Sequence, residues 1–116
     1  MNRTGKRIVI TGAGVVSALG STPAELFENL AAGKSAIRKM NTWPEPVPAA
    51  PLTETPSGTE QLSRTERRSM GRVAQLAALA GLAALRDSGL GELPSERTAC
   101  VIGSTLGASR LSLIHI

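Results

Sequence analysis

Two short β-branched runs that break into glycine fix what this chain can fold into. Arg7-Ile8-Val9-Ile10-Thr11 leads into Gly12-Ala13-Gly14 near one end, and Val101-Ile102 leads into Gly103-Ser104-Thr105 near the other. Each run is too short and too branched for a helix, and each reads as a buried strand, over residues 7–11 and 98–103. A helix signal follows the first run, and more helical sequence lies between the two. Strand–helix–strand order with glycine-lined turns at the strand ends implies an α/β protein, and such turns are where α/β proteins build their sites.

The helices announce their own starts. Thr22-Pro23-Ala24-Glu25 places a capping hydroxyl, a proline suited to the first helical position and a glutamate able to return a bond to the cap. That helix is expected to run to about Ala32 and stop at Gly33, with Leu26, Phe27, Leu30 and Ala31 on one face against the sheet. Ser63-Arg64-Thr65-Glu66 is a second capping box, predicting one helix from Arg64 to about Ser88 that ends at Gly89. From Val73 to Leu85 this helix is apolar nearly all round, with Ala74, Ala77, Ala80 and Ala84 allowing close approach, so it should be buried on every side. Between the helices, Pro44, Pro46, Pro48, Pro51 and Pro56 exclude a central strand or helix interior over residues 43–58. That stretch reads as an extended surface excursion with room for one edge strand. Residues 93–96 read as a loop.

Composition narrows the function. At 116 residues there is room for one small domain, and 41% hydrophobic content is enough for a core. Phe27 and Trp43 are the only aromatic residues, so the core must be aliphatic. A net charge of +4 suits an acidic partner. Nucleic acid is a poor candidate, because stacking aromatics are missing and lysines are few. No segment reaches membrane-spanning length. Arg3, Lys6 and Arg7 before an apolar stretch have the look of a secretion leader, but Thr11, Gly12 and Gly14 interrupt it. The single Cys100 excludes an internal disulfide or a multi-cysteine metal site. The expectation is a cytoplasmic protein with no bound metal or cofactor.

Three stretches hold chemistry worth weighing. Thr11-Gly12-Ala13-Gly14-Val15-Val16-Ser17 has part of a dinucleotide-binding signature, yet Ser17 stands where the third glycine is needed and the helix starts late. A tight turn ending a buried strand is the better reading. Cys100 leads straight into Val101-Ile102, whereas a nucleophile needs a helix N-terminus or a cationic partner to lower its pKa. It reads as a buried core cysteine. Arg64, Arg68 and Arg72 line up at helical spacing with Arg67 alongside, and Glu66 is the only acid among them. Positive charge at a helix start opposes the macrodipole, so this cluster is mildly costly unless it serves a partner.

"RIVITGAGVVSALG" followed by "ELFENLAAGKSAIR", then "SRTERRSM" with "ALAGLAALRDSGL", then "VIGSTLG" resembles, in that order, the opening of the β-ketoacyl-acyl carrier protein synthases. These are condensing enzymes of the thiolase-like group. The resemblance implies an α/β chain forming an incomplete N-terminal part of a five-layered αβαβα fold. It covers residues 5 to about 110, with residues 1–110 as a truncated part of the N-terminal domain and residues 111–116, "LSLIHI", as a non-native tail. It implies an acyltransferase of fatty-acid or polyketide synthesis that joins an acyl group to malonyl on a carrier protein and releases carbon dioxide. Its cysteine nucleophile and two histidines have no counterpart in this sequence, so no residue is assigned a catalytic role and the chain alone should be inactive. The same resemblance assigns Arg64, Arg67 and Arg68 to binding acyl carrier protein, with Thr65 and Ser69 standing where lysine is often found. It also implies a homodimer when full length. The alternatives are a small basic binding module that stands alone and a Rossmann-type nucleotide-binding fragment.

Overall fold

The computed structural model describes residues 5–41, 44–52 and 55–105. Helix α1 spans Pro23–Ala31, β1 Arg38–Met40, β2 Val47–Ala49, α2 Arg64–Ser69 and α3 Arg72–Ser88, with short 3-10 turns at Thr59–Gln61 and Ser95–Arg97.

Helix α1 starts and stops where its residues dictate. The Thr22 hydroxyl accepts from the Glu25 amide at 3.2 Å, and Pro23 opens the first turn. The Glu25 carboxylate reaches one residue further back than the sequence implies, accepting from the Ser21 amide at 2.8 Å. Gly33, at φ +68°, ends the helix in the left-handed conformation that glycine adopts without steric cost. Ahead of α1, the Ser17 hydroxyl closes a four-residue turn: it donates to the Gly20 carbonyl at 2.9 Å and accepts from the Leu19 and Gly20 amides. Asn29 of α1 donates to the Leu19 carbonyl and so fastens this turn to the helix.

β1 and β2 form a two-stranded antiparallel ribbon, with Lys39 opposite Pro48. Val47–Ala49 is the strand for which the proline-rich stretch had room, and its proline is tolerated because β2 is an edge strand. Residues 7–11 and 98–103 form no strand and pair with none among the described residues, which corrects the expectation of two buried strands. Ile8 is 95% exposed, Ile10 93% and Val101 92%. Their side chains favour a pleated ladder, but a ladder also needs a partner, and β1 and β2 pair only with each other. The expected α1 face is likewise uncovered: Leu26 is half-buried, while Phe27, Leu30 and Ala31 are exposed.

The packing that does form centres on α3. Leu79 of α3 and Leu62 just before α2 are the buried hydrophobic residues. Residues 11–16 lie against α3 so closely that glycine is required. A Cβ on Gly12 would collide with the Ala84 carbonyl and stand 2.6 Å from the Ser88 amide. One on Gly14 would collide with the Ala80 carbonyl and stand 2.6 Å from the Ala84 amide. The match is one of pitch. Two residues of extended chain advance about 6.6 Å, and four residues of helix advance about 6 Å, so alternate positions meet successive helical turns. Between the two glycines, the Ala13 amide donates to the Asp87 carboxylate at 2.9 Å.

Candidate functional site

The basic cluster is carried on a helix shorter than its sequence implies. The single helix expected over residues 64–88 is broken: Met70 (φ −102°, ψ 133°) and Gly71 (φ −66°, ψ 163°) are extended, and α3 starts afresh at Arg72. The capping box at Ser63–Glu66 marks a helix start and Gly89 a helix stop, and no proline lies between them, so the sequence predicts one helix across residues that include Gly71.

Both ends of α2 are closed by side chains. At its start the Ser63 hydroxyl accepts from the Glu66 amide at 3.2 Å, and the Glu66 carboxylate accepts from the Ser63 amide at 2.7 Å. This reciprocal pair is the capping box the sequence predicts. The hydrogen bonds with Ser63 hold the Glu66 carboxyl below its ordinary value of 4.5, with slight desolvation opposing. A lowered folded pKa means the cap is intact above the ordinary value and is lost as pH falls through the lowered one. An NMR titration should therefore show the Ser63 amide signal moving with a midpoint below that of a free glutamate. A midpoint at the free value would contradict the cap. At the other end, the Gln75 side-chain amide donates to the carbonyls of Arg67 (2.8 Å) and Met70 (2.9 Å).

Arg64, Arg67 and Arg68 are all exposed. Their i, i+3 and i+4 spacing sets their Cβ atoms about 5–6 Å apart along one side of α2. Among the described residues none of the three has a carboxylate partner, since Glu66, the one acid on α2, is turned back into the cap. The break changes two expectations. Arg72 belongs to α3 and does not continue the Arg64–Arg68 row. Arg67 and Arg68 lie in the last turn of α2, where the dipole favours positive charge, so only Arg64 opposes it.

The other two stretches resolve against chemistry. The backbone of α3 fills the space beside Gly12 and Gly14 that a pyrophosphate would need, so these glycines serve close packing. Cys100 is exposed rather than buried, because residues 98–103 have no cover among the described residues. No group of three or more His, Cys, Asp or Glu side chains among the described residues could hold a metal ion. His115 and the proposed tail at residues 111–116 lie outside the described residues. No described helix is long and apolar enough to cross a membrane.

Sequence reasoning missed Gln75. Its signal is present: it is the one polar side chain in the apolar run from Val73 to Leu85.

Comparison with known proteins places this geometry. The family described as "Beta-ketoacyl synthase, N-terminal domain" matches residues 5–114. A 3-oxoacyl-[acyl-carrier-protein] synthase 1 from Haemophilus influenzae is 33% identical over 113 residues, covering 94% of this chain and 28% of that protein. The tetracenomycin polyketide synthase ketoacyl synthase alpha subunit of Streptomyces glaucescens is also 33% identical, covering 90% of this chain and 26% of that one. Among solved structures, a β-ketoacyl synthase from Burkholderia phymatum superposes with a TM-score of 0.62 at 41% identity, over 78% of this chain and 23% of its own. The chain belongs to the β-ketoacyl synthase family and is a partial, mixed helix and strand piece of that α/β fold. It spans about a quarter of the length of these relatives.

Proposed function

We propose that this chain serves as the N-terminal portion of a β-ketoacyl-acyl carrier protein synthase and supplies part of the surface that receives the carrier protein. The observation that carries this reading is the family match over residues 5–114, together with three exposed arginines on one short helix that have no carboxylate partner among the described residues. In the reaction proposed for the whole enzyme, an acyl group is held as a thioester on a cysteine. Malonyl on the carrier protein loses carbon dioxide, and the resulting enolate carbon attacks the acyl carbonyl. A carbon–carbon bond forms and the cysteine thiolate leaves. Histidines that stabilise the enolate oxygen act by preorganised electrostatics. The chain has one histidine, His115, so the histidine pair must come from outside these 116 residues.

Arg64, Arg67 and Arg68 contribute to encounter with an acidic carrier rather than to bond making. Exposed charge pairs are each worth about 0.2–1 kcal/mol and are screened by salt. In the complete enzyme, Arg64→Ala with Arg68→Ala is expected to raise the apparent KM for carrier-bound substrate by about threefold to tenfold. Added salt should reproduce the effect in the parent enzyme. Equal losses with carrier-bound substrate and with a small carrier-free thioester would show the arginines to be structural.

A further inference from the structure

We infer that Gln75 is the positioning residue of this docking surface, setting the direction in which Arg64, Arg67 and Arg68 face. The inference rests on the carrier-docking reading and adds the element that orients it. Helix α2 has six residues and buries none of them, so apolar packing does not fix its angle to the rest of the chain. A helix this short is also marginal by itself. What joins it to α3 is the two-residue extended break at Met70 and Gly71, and the Gln75 side chain spans that break.

Gln75 holds both sides at once. Its backbone amide donates to the Gly71 carbonyl at 3.0 Å and so helps start α3. Both hydrogens of its side-chain amide are spent on the Arg67 and Met70 carbonyls, groups that the end of α2 leaves without helical partners. One of those carbonyls belongs to an arginine of the cluster. Two bonds from one α3 side chain, one to α2 at Arg67 and one to the bend at Met70, restrict rotation about it more than a single bond would. Without them α2 could swing on Met70 and Gly71, and the three guanidiniums would no longer present one fixed pattern of charge. Recognition of a patterned acidic surface depends on that arrangement being made in advance.

The test is Gln75→Met in the complete enzyme, which keeps the length of the side chain, removes the donors and leaves the charge unchanged. The apparent KM for carrier-bound substrate should rise about fivefold, the scale of one or two net hydrogen bonds, while kcat holds. Combined with Arg64→Ala and Arg68→Ala, Gln75→Met should add little, because both changes act through the same surface. Gln75→Lys, which returns donors within reach of the two carbonyls, should recover most of the loss at high salt, where its extra charge is screened. A fall in kcat matching the rise in KM, or full additivity with the arginine changes, would overturn the positioning role. If the arginine pair has no effect on the carrier-bound KM, the docking reading itself fails, an outcome distinct from failure of Gln75 alone.

Discussion

Replacing Gly14 by alanine is expected to destabilise the fold by about 3 kcal/mol, the upper part of the range for overpacking a tight contact. The added Cβ would meet backbone on α3: the Ala80 carbonyl, and the Ala84 amide at 2.6 Å. A flexible side chain could move aside, but a helical carbonyl cannot do so without breaking its own ladder. Residues 11–16 would have to lift off α3, losing the bond from the Ala13 amide to Asp87 as well. Thermal unfolding of the complete enzyme carrying Gly14→Ala should show a midpoint lowered by several degrees, or little soluble protein. Gly103→Ala is the control, because nothing lies within 4 Å of a Cβ there. Its effect should stay within about 0.5 kcal/mol, as for most exposed changes. Equal tolerance of both substitutions would mean that the close approach to α3 does not exist. A nucleotide-binding loop would behave differently, keeping its stability and losing a ligand.

How far the sequence could be read followed how local each determinant is. Both helix starts were legible because Thr22, Glu25, Ser63 and Glu66 act within four residues of one another. The stops at Gly33 and Gly89 were legible for the same reason, each being a left-handed glycine. The break at Met70 and Gly71 was not, since it accompanies Gln75 folding back across a bend, and no proline or second capping hydroxyl marks it in the sequence. That hidden break also reversed the dipole argument for Arg67 and Arg68, which sit in the last turn of a short helix instead of near the start of a long one. Residues 7–11 and 98–103 have side chains suited to strands, but pairing is a property of distant partners, and intrinsic preference alone forms no ladder. The glycines beside α3 lie between these extremes. Sequence identified them as a tight structural feature, while only the fold shows that Ala80 and Ala84 are what they approach.

The 116-residue chain tested by itself is expected to show neither a sharp cooperative thermal transition nor any β-ketoacyl product. Its accessible surface is 10005 Å². A compact monomer of 12.0 kDa should expose about 6,000 Å², and a fully extended chain about 17,000 Å². The chain therefore removes much less surface from water than a self-sufficient domain does. Its Cα radius of gyration, 17.9 Å, against about 13 Å for a compact domain of some 100 residues, says the same. Cooperative folding needs an apolar core large enough to offset the entropy of ordering the backbone, and Leu62 and Leu79, the buried hydrophobic residues among those described, are too few to provide it. The exposed apolar runs around Ile8, Ile10 and Val101 instead favour association between chains. Dye binding to apolar surface, a broad melting profile and concentration-dependent oligomers should all appear. Acyl- and malonyl-carrier protein should be recovered unreacted, because one histidine cannot serve where the proposed chemistry needs two. A soluble monomer with a steep melt would mean that the chain buries a core the exposed runs do not reveal. Turnover abolished by Cys100→Ala would give that exposed thiol a catalytic role and remove the need for a nucleophile elsewhere.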